Sequence, residues 1–305
     1  MGKRFFFGFS MFFALVGVLA TDHLLGFTWG FFLICCGMCL GGIHELGRMF
    51  RFRGLPLDTR LLYLATLALL GYVQLLANPP DFGAFARMAW GGTYAHHVPL
   101  PPGMNGLREL TLLAPLLAAV LFPLVGLTRK DVSNLSPRIT NNLGIFLYVI
   151  FPIAVILWLR KVPGSGPWLL YFLLAASRLG DVGAYLLGKA FGRHKLIPHL
   201  SAGKTIEGAV AGLLFSAIGG VAILLLANGA GPGLKPTLVH WWQGALLGGF
   251  VGIAAQSGDL VESGFKRAAG IKDSGNLVPS FGGIMDIMDN FMLTGPLILV
   301  VMALL

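Results

Sequence analysis

Five of the thirteen Asp and Glu residues in this 305-residue chain fall between positions 259 and 289: Asp259, Glu262, Asp273, Asp286 and Asp289. If 258–269 is helical, Asp259, Glu262, Ser263, Lys266 and Arg267 stand at i, i+3, i+4, i+7 and i+8. That spacing puts two acids, a hydroxyl and two cations on one face, with Leu260, Val261, Phe265 and Ala268 on the other. Asp286 and Asp289, at i and i+3, share a face at the start of a further helix. Three carboxylates (Asp259, Asp286 and Asp289) at the ends of two helices suit Mg²⁺, which takes oxygen ligands and keeps some of its waters. Lysines and arginines beside a divalent cation make sense when an anion is shared between them, and phosphate is the obvious anion. A network of interfacial salt bridges is the other reading of the same residues.

A second polar set lies in 177–208: Ser177, Arg178, Asp181, Lys195, Ser201, Lys204, Thr205 and Glu207. Arg178 and Asp181 interrupt an apolar stretch at i, i+3, so they either pair with each other or face a polar cavity. Gly203-Lys204-Thr205 has the ending of a phosphate-binding P-loop, but the required first glycine would fall on Pro198 and no strand is expected before it. That motif is rejected. His96 and His97 have no other ligand type nearby and read as plain loop. Cys35, Cys36 and Cys39 lack a fourth ligand for a tetrahedral metal site and read as buried thiols.

The elements that must position these groups are helices in a membrane. The chain is 56% hydrophobic and 11% charged, with a mean hydropathy of +0.78, whereas a soluble domain carries about 25% charged residues. Soluble, disordered and disulfide-scaffold classes are excluded. The expected fold is all-α, a polytopic helical membrane protein with about nine transmembrane helices near 5–21, 27–45, 61–78, 110–127, 142–159, 167–188, 207–228, 240–257 and 287–305. With the N-terminus inside, sixteen Lys and Arg side chains fall in inner segments and five in outer ones, and Arg178 lies within a span. This bias puts the N-terminus, and the acidic helix ends, on the cytoplasmic side. Lys3 and Arg4 before the first apolar run read as the flank of an uncleaved first span rather than of a signal peptide. Gly208, Gly212, Ser216 and Gly220, and again Gly244, Gly248 and Gly252, repeat at four-residue spacing. Such stripes let helix backbones approach closely in lipid, here within one chain.

The stretch from Ser257 to Asp289 closely resembles the signature of the phosphatidate cytidylyltransferases, the CDP-diacylglycerol synthases. Ser263, Lys266, Arg267, Lys272, Asp273, Gly275, Pro279, Gly282, Gly283, Asp286 and Asp289 match it at the right spacing. The upstream run from Asp181 through Tyr185, Gly188, Gly192, Pro198, Ser201, Lys204 and Thr205 to Gly208 looks like the family's other stretch, and Glu45 also fits a family habit. The likeness covers about 170–305. It divides the single membrane domain into N-terminal structural helices, 1–140, and a catalytic region, 141–305. Two positions depart from the pattern: Phe281 stands where the family usually has His, and Ile287 where it usually has Arg. Each change removes a potential phosphate contact.

The resemblance implies that CTP and phosphatidate give CDP-diacylglycerol and pyrophosphate, with Mg²⁺ in a one- or two-ion site, in a homodimeric enzyme of the cell inner membrane. It assigns catalysis to Asp259, Lys266, Asp286 and Asp289, with Asp259, Asp286 and Asp289 on the metal. Substrate contacts go to Lys204, Ser263, Arg267, Lys272, Asp273, Gly282 and Gly283. Two other readings compete: a CTP-using kinase of a long-chain isoprenoid alcohol, and a transporter or inactive scaffold. A transporter would place its acids near the bilayer midplane and often carry inverted repeats, whereas these acids collect at helix ends and the chain shows no repeat.

Overall fold

The computed structural model describes residues 14–22, 29–77, 105–128, 133–160, 166–229, 240–271, 274–275 and 282–304. Helix α1 covers 14–22; α2 is Trp29–Phe52, α3 Thr59–Ala77 and α4 Asn105–Leu127. Helix α5 runs Leu135–Leu159, α6 is Gly166–Phe191, α7 Ile206–Gly229, α8 Trp241–Ala268 and α9 Met285–Leu304. Each expected span overlaps a helix where its residues are described, the first of them only over 14–21. Among the described residues, α2, α5, α6, α7 and α8 are long and apolar enough to cross a membrane. Apolar portions of α3 and α4, Thr59–Leu75 and Leu113–Leu127, are shorter. The protein is an all-α membrane protein.

Small residues set the centre of the bundle, where α7 packs between α6 and α8. A Cβ on Gly220 would overlap the carbonyl of Gly244, and one on Gly248 would lie 2.5 Å from the carbonyl of Ser216. Ser216, fully buried, fills the space left by Gly180 on one side and Gly252 on the other. The glycine stripes thus do pack within the chain, as their spacing led us to expect. Lipid gives no hydrophobic drive between helices, so close backbone contact of this kind holds them together.

Two further features position the site. Helix α5 contains a π-helical turn, Phe146–Ile150, just before Pro152, which has no N–H to give the preceding turn. Tyr148, within that turn, donates its hydroxyl to the carbonyl of Gly258 at 3.3 Å and packs against Phe265, so α5 braces α8. Between α6 and α7 the chain forms a small antiparallel hairpin, β1 (Lys195–Ile197) and β2 (Ser201–Thr205), which the hydropathy pattern does not reveal. Gly203-Lys204-Thr205 lies on β2 itself, so a strand is present at this segment, contrary to the expectation. It carries no P-loop geometry, because Thr205 instead caps α7, accepting from the Gly208 N–H at 3.2 Å. Glu207 ties the hairpin down by accepting from the backbone N–H groups of Arg193 (3.1 Å) and His194 (3.2 Å).

At the opposite end of the bundle, Arg160 and Asp22 form a buried ion pair at 3.5 Å. Asp22 also accepts the Phe31 N–H at 2.9 Å in the first turn of α2. Arg160 is therefore a buried tie between α1, α2 and the end of α5. Cys35, Cys36 and Cys39 are buried thiols, as expected.

Candidate active site

The acidic cluster is assembled by an approach of two backbones. Gly258, without a side chain, lets the Asp289 carbonyl of α9 lie directly against α8, where a Cβ would overlap it. That contact sets Asp289 beside Asp259 and Glu262, which stand one turn apart on α8. One carboxylate oxygen from each of the three lies within 4.8 Å of the others. Asp289 and Glu262 are buried and Asp259 is partly open. Three carboxylates at this separation repel strongly in a low dielectric when ionised, so the arrangement is relieved by cations or by protons.

Two lysines supply positive charge. Lys204, from β2, places Nζ 2.7 Å from Asp259 Oδ2. Lys266 bridges the acids, 2.5 Å from Glu262 Oε2 and 2.7 Å from Asp286 Oδ1. Glu262 Oε2 is thus met by the Lys266 ammonium, while Oε1 has no hydrogen-bond partner. An all-oxygen donor set with this spacing fits a hard divalent cation. The three groups brought together are Asp259, Glu262 and Asp289. Asp286 borders the same cleft but is held otherwise: Oδ2 accepts from Ser274 Oγ at 2.7 Å and from the Gly283 N–H at 2.8 Å.

The start of α9 is fixed from a distance of some 240 residues. Glu45, fully buried on α2, accepts from the N–H groups of Ile284 (2.9 Å) and Met285 (3.0 Å) and lies 3.1 Å from Ser274 Oγ. A carboxylate at a helix N-terminus satisfies otherwise orphaned donors and meets the positive end of the dipole. Gly283 must be glycine here, since a Cβ would overlap both Ser274 Oγ and the Glu45 carboxylate. Gly282 adopts φ 103°, a backbone conformation open to glycine.

A cleft of about 590 Å³ opens over this cluster, bordered by α6, the hairpin, α7, α8 and α9. Lys204, Asp259, Asp286 and Asp289 line it, together with Arg178, Lys189 and Tyr185 of α6. Asp181, also at its edge, accepts from Asn290 Nδ2 at 2.6 Å and lies 3.5 Å from Arg178 Nη1. Both sequence readings of this pair therefore hold: the two interact and both face a polar cavity. The cleft combines acids able to hold a cation with lysines and an arginine able to meet phosphate.

Of the other residues singled out, Arg267 does not border the cleft. It turns to the hairpin and the end of its own helix, donating to the carbonyls of Leu200 and Ile271, each at 3.3 Å. Ser263 is half-buried on α8 and also stands apart from the cleft lining. Lys272, Asp273 and Phe281 lie outside the described residues, as do His96 and His97. Sequence reasoning passed over Asn290 and Ser274, and marked Glu262 only as a member of a polar face. For Asn290 the available signal was its place next to Asp289; Ser274 offered none.

The family model described as the cytidylyltransferase family matches residues 2–305. A protein of Escherichia coli K12, the uncharacterized protein YnbB, is 28% identical over 88% of this chain and 83% of its own length. A phosphatidate cytidylyltransferase of Staphylococcus haemolyticus is 41% identical over 43% of this chain and 47% of its own. One from Staphylococcus aureus is 45% identical over 39% of the chain and 43% of its own. The match to these two enzymes thus spans about half of their length.

Proposed function

The chain belongs to the cytidylyltransferase family, and we propose that it transfers the cytidylyl group of CTP to phosphatidate, giving CDP-diacylglycerol and pyrophosphate. The observation that carries this reading is the placement of Asp259, Glu262 and Asp289 under a cleft that also presents Lys204, Lys189 and Arg178. An oxygen of the lipid phosphate attacks the α-phosphorus of CTP. The bond from that phosphorus to the α–β bridging oxygen breaks, and pyrophosphate leaves with the electron pair. An ionised phosphate is already a nucleophile, so no general base is needed and the work is positioning and charge neutralisation.

Asp259, Glu262 and Asp289 would hold Mg²⁺, with Asp286 at hand for a second ion. A bound divalent cation would neutralise phosphate oxygens and orient the reacting groups. Lys204 and Lys266 neutralise the carboxylates; Lys204 lines the cleft and, with charge supplied by the cation, would be in place to meet phosphate oxygens, whereas Lys266 stands outside the lining, held between Glu262 and Asp286. Lys189 extends the positive edge along α6. Glu45 and Gly283 hold the start of α9, which carries Asp286, so they act on geometry rather than on substrate.

The charge bias along the sequence supports a cytoplasmic N-terminus and a cleft open to the cytoplasm, where CTP is, in the cell inner membrane. The family resemblance supports a homodimer. The reading is tested by supplying purified protein with CTP and Mg²⁺, and either phosphatidate or a polyprenol. Formation of CDP-diacylglycerol from phosphatidate alone supports it; phosphorylation of the polyprenol would replace it with the kinase reading.

A further inference from the structure

Arg178 is the thirteenth residue of the 26-residue helix α6, about 18 Å along the axis from either end. A cation at such a depth costs from about 2.5 kcal/mol upward unless it faces protein polar groups or a cavity. Its neighbours do not account for it. Nη1 stands 3.5 Å from Asp181 Oδ2, and Nη2 donates to the Ile287 carbonyl at 3.4 Å, both long for charge-assisted contacts. The Asp181 oxygen concerned already accepts from Asn290 at 2.6 Å, so Asp181 has a closer partner than Arg178.

The guanidinium is nonetheless held in place. It lies 5.6 Å from the centre of the Phe291 ring, a cation–π contact that limits how its plane can turn. Its side chain is 35% exposed and borders the cleft that carries Asp259, Asp286 and Asp289. A planar fork of donors, oriented by an aromatic ring and weakly engaged by protein, is suited to bidentate binding of phosphate oxygens.

We propose that Arg178 is a phosphate-binding residue of the cleft, taking the oxygens of a reacting phosphate group of either the lipid or the nucleotide. This rests on the transferase reading for the identity of the two substrates. It borders the same cleft as Lys204 of the hairpin, so a phosphate there could meet both.

The test compares wild type, Arg178→Lys, Arg178→Gln and the double variant Arg178→Gln/Asp181→Asn as purified protein. KM and kcat are measured for CTP at saturating phosphatidate and for phosphatidate at saturating CTP. Thermal stabilisation by CTP and by phosphatidate micelles is measured separately, without turnover. Arg178→Gln is expected to lower kcat/KM for one substrate about ten- to a hundredfold, the range of a lost charged hydrogen bond, and to lose stabilisation by that substrate. The substrate affected identifies the source of the phosphate. Arg178→Lys, which keeps the charge but not the fork, should still raise that substrate's KM. Wild-type KM and stabilisation in Arg178→Lys and Arg178→Gln would overturn the proposal. So would recovery in the double variant, since Arg178 would then serve only to neutralise Asp181. If wild type shows no transfer while Arg178→Gln still abolishes stabilisation by either ligand, the transferase reading fails and the phosphate site stands.

Discussion

Glu45→Gln removes one charge from a site that touches no substrate, and its effect follows from hydrogen-bond accounting. The carboxylate accepts two backbone N–H groups, from Ile284 at 2.9 Å and Met285 at 3.0 Å. Ser274 Oγ has one proton and sits nearer to Asp286 Oδ2 (2.7 Å) than to Glu45 Oε2 (3.1 Å), so its bond to Glu45 is the weaker one. Glutamine can satisfy one of the two N–H groups through its single oxygen. Its amide NH₂ then faces the other donor in a fully buried place. An unsatisfied buried donor costs about 1–3 kcal/mol, and loss of the charge at the helix N-terminus a further 0.3–1 kcal/mol or so. We expect Glu45→Gln to be destabilised by about 1–4 kcal/mol. Turnover should fall about a hundredfold, because the first two turns of α9 carry Asp286 and Asp289 and a shift near 1 Å is enough for that loss. Unfolding can be followed with a thiol-reactive dye, since Cys35, Cys36 and Cys39 are buried in the same helix, α2. Wild-type melting and wild-type turnover in Glu45→Gln would refute this account of how α9 is held.

Asp259→Asn, Glu262→Gln and Asp289→Asn should each nearly abolish transfer while the protein still inserts and melts as a folded species; a variant with normal turnover removes that residue from the cation site. Lys266→Met leaves Glu262 and Asp286 without their shared cation, so melting in the thiol-dye assay should show a loss of about 3–5 kcal/mol, and an unchanged melt would contradict the bridging role. Gly258→Ala, whose Cβ overlaps the Asp289 carbonyl, should lower kcat more than it alters KM for CTP, and a change confined to KM would count against it. Ala202→Cys on the hairpin should label only from the cytoplasmic side and Gly229→Cys only from the other, and the reverse pattern would invert the topology.

Much of this arrangement was legible in the sequence because membrane helices declare themselves locally. Hydropathy located the helices but cut the ones with polar ends short: the span expected at 240–257 belongs to a helix running to Ala268, and that at 142–159 to one starting at Leu135. The four-residue spacing of Gly208 through Gly220 showed a close helix contact. The shared face of Asp259, Glu262 and Lys266 followed from helical periodicity alone. What stayed hidden depends on distance along the chain or on short segments. Glu45 meets Ile284 and Met285 through a contact that no local pattern encodes. The hairpin at 195–205 is too short and polar to register in a hydropathy window. Asp286 was grouped with the metal-binding acids by its spacing from Asp289, but Ser274 and the Gly283 amide turn it toward Lys266. Arg267 shares a helical face with Lys266 in projection, yet at the end of α8 its longer side chain finds the carbonyls of Leu200 and Ile271 first.

The central claim concerns which phosphorus of CTP reaches the lipid. Purified protein is incubated with phosphatidate, Mg²⁺ and CTP labelled at either the α- or the γ-phosphorus, and the lipid and aqueous phases are counted separately. The account predicts that the α-label enters the lipid as CDP-diacylglycerol while the γ-label leaves as pyrophosphate, both abolished by Asp289→Asn. Appearance of the γ-label in the lipid, or transfer that persists unchanged in Asp289→Asn, would contradict it.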